Sequence, residues 1–149
     1  MTLKQKTHQH YQGLLQEKID AFKSMILALT EDSRNDAKGS AGDKHETALA
    51  MMHIEQERLN KNIAEFLDQK AILDKINPTY ISTKVTMGSL VKANGLLFFL
   101  STALPKITID NKTIFAVSPQ SPLGIQIMSK EVGSDFVVNG KKYIVEVIE

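Results

Sequence analysis

Up to Asn77 the apolar residues recur every three or four positions; from Pro78 onward they come in short runs of β-branched and aromatic residues separated by turns. A three-four spacing belongs to helices and short runs of this kind to strands, so 149 residues must be shared between a helical half and a β half. In the first half Tyr11, Leu15, Ile19, Phe22, Ile26 and Leu29 form one seam, and Leu49, Met52, Gln56, Leu59, Ile63, Phe66, Lys70 and Leu73 form a second. Such a stripe is the pairing face of a coiled coil, where polar members such as Gln56 and Lys70 cost stability and help to fix register. Between the seams, Glu31 to Gly42 is rich in Asp, Asn, Ser and Gly without apolar period, and is expected to be a connection that reverses the chain. Each helix would have roughly 27–32 residues and be about 40–50 Å long, too long and too narrow in its apolar face to be buried in a small core. An antiparallel coiled-coil hairpin, projecting as a finger, is the expected product.

The second half holds all four Pro and all of the Val. Strands are predicted over 85–91, 95–101, 112–118, 136–138 and 143–148, with two-residue hairpin turns at Asp110-Asn111 and Asn139-Gly140. Ser121 followed by Pro122 predicts a short helix with Ser121 at its N-cap and Pro122 in its first position. The fold class is therefore α+β: residues 1–77 a helical hairpin, residues 78–149 a small antiparallel β domain with one short helix.

Composition narrows the function. Without cysteine there is no disulfide framework, zinc knuckle or thiolate nucleophile, which fits a reducing, cytoplasmic setting. The balance of 18 basic and 17 acidic residues argues against a protein that binds by neutralising many phosphates. The longest apolar run, Leu96 to Leu100, cannot span a bilayer, and the residues after Met1 have no apolar stretch of signal-peptide type. No phosphate-cradling glycine pattern, nucleophile elbow or zinc-protease motif is present. His8 and His10 point in different directions on a helix and are expected to be a solvent-exposed pair, while His45 and His53 are out of helical phase for chelation.

One cluster remains, Gly42-Asp43-Lys44-His45-Glu46. Asp43 and Glu46 are three apart at the start of the second helix, so both carboxylates lie on one side. Capping explains them simply, with Asp43 at the N-cap and Glu46 at the third helical position. The alternative is a metal role: two carboxylates with substrate oxygens and water make a Mg²⁺ shell, though too few ligands for a tight site on this chain alone.

With this cluster in view the chain resembles the GreA/GreB transcript-cleavage factors of bacterial RNA polymerase. Their G-D-x-x-E hairpin tip is matched by Gly42, Asp43 and Glu46. Their C-terminal signature is matched by Ser121-Pro122-Leu123-Gly124, Lys130-Glu131-Val132-Gly133 and Tyr143-Ile144-Val145-Glu146-Val147. The resemblance spans both halves in the right order. It implies an FKBP-like C-terminal domain that grips the polymerase, with Ser121 and Pro122 as contact positions, and a finger in the secondary channel. There Asp43 and Glu46 would help to hold a Mg²⁺ shared with the polymerase, whose own active centre then hydrolyses the 3′ end of backtracked nascent RNA. On that expectation the protein is no enzyme itself, is monomeric, and meets RNA only inside RNA polymerase. Two other roles stay open: a channel-binding regulator without cleavage activity, and a coiled-coil interaction module unrelated to polymerase.

Overall fold

The computed structural model describes residues 1–37 and 42–149, except for the side chains of Ser33, residues 35–37 and residues 42–45. Two long helices come first, α1 (Leu3–Ala37) and α2 (Gly42–Asp74). Strands β1 (Leu90–Ala93), β2 (Leu96–Leu100), β3 (Ile107–Ile109) and β4 (Lys112–Val117) follow, then helix α3 (Pro122–Ile127), β5 (Asp135–Val138) and β6 (Lys141–Ile148). The architecture is α+β, as the change of period predicts.

The chain divides into two compact units, Gly13–Lys70 and Met1–Gln12 with Ala71–Glu149. In the first, the predicted seams are the inward faces. Leu15, Ile19, Leu59 and Ile63 are buried, and Phe22 meets Phe66 edge to face at 5.1 Å. Gln56 Nε2 donates to Thr30 Oγ1 at 3.1 Å, so one of the two polar seam members bridges the helices. Met25, Leu27, Met51 and Ile54, which lie off the seams, are exposed. Helix α1 runs further than its composition predicts: Glu31 to Ala37, expected in the connection, are helical, and Gly42 already begins α2. Asp, Asn and Ser lower helix propensity by only a few tenths of a kcal/mol each, whereas the real breakers, Gly and Pro, are absent between Gly13 and Gly39. The rest of the expected reversal, residues 38–41, lies outside the described residues.

In the second unit a six-stranded sheet has the order β3-β4-β2-β1-β6-β5. Three hairpins tie neighbours in sequence: Asn94-Gly95, Asp110-Asn111 and Asn139-Gly140 each place two consecutive residues at positive φ, as a type I′ turn requires. The sheet is mixed rather than antiparallel, because β2 and β4 run parallel with Phe98 beside Phe115. The loop after β2 skips one strand's width to lay down β3, and the tight β3–β4 hairpin returns β4 into the gap. The predicted strand at 85–91 shrinks to β1 from Leu90, since Gly88 at φ +87° breaks the extended run.

Alternation along β2 sends Phe98 and Leu100 to one face and Phe99 to the other. Phe98 and Leu100 join Val91, Ala93, Phe136 and Val145, and Ile127 of α3 closes that core. On the opposite face Phe99 stacks on Tyr11 with centroids 6.0 Å apart, and the Tyr11 hydroxyl donates to the Pro105 carbonyl at 2.7 Å. Burial pushes the Tyr11 phenol up to about 12. His8, expected in solvent, is buried with Nε2 2.6 Å from the Leu73 carbonyl oxygen; His10 alone is exposed. Residues 71–76 pack in this unit and supply His8 with a helix-terminal carbonyl, an arrangement that N-terminal spacing does not reveal.

Candidate functional site

Asp43 and Glu46 both lie in the opening turns of α2. Three residues of helix amount to about 300° of rotation and 4.5 Å of rise, which puts the two positions on one side, one turn apart. Glu46 is exposed. The helix N-terminus favours negative charge at both positions. Asp43 lies about 40 Å along α2 from Lys70, where the hairpin unit ends. The capping box expected of Asp43 and Glu46 rests on the Asp43 side chain and falls outside the described residues. Among the described residues no three His, Cys, Asp or Glu side chains come together as a metal site. Two acid positions on one helix turn fit a cation whose remaining ligands come from elsewhere, and do not amount to a resident metal centre.

A described capping box does stand at the start of α1. Gln5 N–H donates to Thr2 Oγ1 at 3.1 Å, and Thr2 N–H donates to Gln5 Oε1 at 2.8 Å. Thr2-Leu3-Lys4-Gln5 is the S/T-x-x-E/Q pattern, a signal legible in the sequence.

Ser121 and Pro122 sit at the start of α3 as their order predicts. Ser121 is extended at φ −70° and ψ 159°, and its Oγ accepts from Gly124 N–H at 3.0 Å while donating to the Ser118 carbonyl at 2.7 Å. Its hydroxyl is therefore occupied within the turn. Gly124 permits the close approach, since a Cβ there would lie 1.9 Å from the Ser118 carbonyl oxygen. Pro122 is exposed and, with Ile125, Gln126, Val137 and Val138, lines a shallow groove of about 250 Å³ between α3 and the edge strand β5. Ser121 shapes this surface, and the Pro122 ring is the part of the pair that a partner could touch. The acid pair belongs to the hairpin unit and the Ser121/Pro122 pair to the sheet unit.

No helix among the described residues is long and apolar enough to cross a membrane. No protein-family profile and no curated protein sequence matches the chain. Among solved structures it is similar to the GreA factor homolog 1 (Gfh1) protein of Thermus thermophilus, at 16% identity over 93% of this chain and 94% of that one, with a TM-score of 0.35.

Proposed function

We propose that the protein is a secondary-channel factor of bacterial RNA polymerase that stimulates the polymerase's own cleavage of backtracked RNA. The observation that carries this reading is the acid pair itself: Asp43 and Glu46 share one side of α2 at its first turns, at the opposite end of the helix from Lys70. The sequence resemblance supports it, because the tip motif and the Ser121-Pro122 helix occur in one chain in the family's order.

Asp43 and Glu46 would present carboxylate oxygens at a site completed by polymerase and RNA groups. A Mg²⁺ held there would supply charge neutralisation at the scissile phosphate and make a water more acidic. The carboxylates would orient the attacking water by accepting its hydrogen bonds. Pro122 and the groove behind it would contact the polymerase, with Ser121 fixing the turn.

In stalled, backtracked elongation complexes the wild-type protein should accelerate release of short 3′ RNA fragments. Asp43→Asn with Glu46→Gln should remove the acceleration and leave polymerase binding unchanged. No acceleration by the wild type would overturn the proposal. Lys44 and His45, between the two carboxylates in sequence, favour a second reading as a channel occupant without cleavage, because a lysine and an imidazole can compete with a metal for carboxylate oxygens. That reading predicts binding to polymerase with no effect of the double substitution on RNA cleavage.

A further inference from the structure

In the sheet unit, the first turn of α1 carries a lysine where a lysine is costly. Lys4 is 4% exposed, and its ammonium donates to the Tyr80 carbonyl. No described carboxylate lies within ion-pair distance of it, and the nearby helix N-terminus repels positive charge. A buried cation whose one hydrogen-bond acceptor is neutral has lost hydration without gaining a contacting counter-charge. Burial holds its pKa below the ordinary lysine value, and the charge of Glu149 opposes that shift only in part.

Lys4 lines two clefts. One, of about 460 Å³, is shared with Thr2, Gln5, Ile81 and Glu149, and so already contains an anion. The other, of about 590 Å³, is lined by Ile72, Ile76, Met87 and Tyr80, with Lys75 and Asn77 also in its wall and no described carboxylate. Its size lies in the range of small-molecule sites, and its make-up, apolar walls with a few convergent polar groups, is theirs as well. Gly88 fixes part of this corner: a Cβ there would meet Ile76 Cγ2 at 2.5 Å, so the Thr86-to-Gly88 turn sits directly against the helix end.

We propose that this cleft binds a small amphipathic carboxylate, its anionic group paired with Lys4 and its hydrocarbon body laid over Ile72, Ile76 and Met87. Charge complementarity selects the head: the two charged residues lining the cleft, Lys4 and Lys75, are both cations. The walls select the tail. This role is independent of the tip carboxylates and of RNA cleavage.

Decanoate is the probe, titrated below its micellar concentration into full-length protein labelled on Ile and Met methyl groups. Saturable shifts should appear at Ile72, Ile76 and Met87. 1-Decanol, which keeps the tail and lacks the charge, should bind at least tenfold more weakly, and butyrate, which keeps the charge and lacks the tail, should not saturate. Lys4→Met preserves the stem and should abolish the preference for decanoate over decanol; Lys75→Met should weaken decanoate less. Absence of saturable shifts, equal binding of decanoate and decanol, or unchanged decanoate affinity in folded Lys4→Met would each overturn the proposal. Should Lys4→Met fail to fold, the wild-type comparison of decanoate with decanol decides it alone.

Discussion

Gly124 and Gly13 are both helical glycines, and the space around them assigns them opposite roles. A methyl at Gly124 would collide with the Ser118 carbonyl oxygen, which belongs to the backbone turn that also orients Ser121. Gly124→Ala should destabilise the protein at or beyond the upper end of the usual cost of overpacking, about 1–3 kcal/mol. At Gly13 a Cβ would meet nothing within 4 Å, and the residue is exposed on α1. Gly13→Ala should therefore stabilise by about 0.5–1 kcal/mol, raising Tm by roughly 2–4 °C. Thermal melts of the two variants check both signs; a neutral Gly124→Ala would show that α3 can move off the turn. The cap at Ser121-Pro122 was legible because N-cap chemistry is local. The need for glycine at 124 was not, because the atom that forbids a side chain lies six residues upstream across a turn.

At the scale of elements, the two seams were visible in spacing alone, and every described seam residue is buried or partly buried. Where α1 ends was not visible: turn-forming residues at 31–37 continue the helix, because a modest propensity deficit does not stop one that has no Gly or Pro in its way. The parallel β2–β4 pair was equally hidden, since β3 has only three residues and its partner depends on a loop that skips a strand. Asn94-Gly95, a hairpin signal as strong as Asn139-Gly140, straddles the predicted start of a strand at residue 95. Gln56 makes a testable case of a polar residue in an apolar seam. Gln56→Leu should stabilise the hairpin by on the order of 1 kcal/mol through added apolar burial, while removing the contact with Thr30 that favours one register. A lower Tm in this variant would mean that the Gln56–Thr30 hydrogen bond contributes more than the methyl groups that replace it.

At the scale of the whole molecule, two buried groups set the alkaline limb of stability with opposite signs. Lys4 titrates below 10.5 in the folded state, so between its folded and unfolded pKa the unfolded chain binds more protons and stability rises with pH. Tyr11 is raised from 10.0 to about 12, so its contribution is complete below pH 10 and is lost as pH climbs from 10 to 12. Because Tyr11 is fully buried, that loss amounts to about 2–3 kcal/mol. Denaturant midpoints measured from pH 9 to 12 should fall above pH 10 in wild type, and this fall should be absent in Tyr11→Phe; a fall of equal size in the variant would move the cause elsewhere. Spacing singled out Asp43 and Glu46 as a pair that capping explains simply, the resemblance implied their metal role, and the fold adds that both lie in the opening turns of a 33-residue helix. On the proposed function these carboxylates help to hold a metal for the polymerase. That role is tested most directly by the Mg²⁺ dependence of RNA cleavage in backtracked complexes. Wild-type protein should lower the Mg²⁺ concentration for half-maximal cleavage, and the Asp43→Asn, Glu46→Gln protein, bound to the same complexes, should leave it at the value for polymerase alone. An identical Mg²⁺ dependence with and without the wild-type protein would contradict the account.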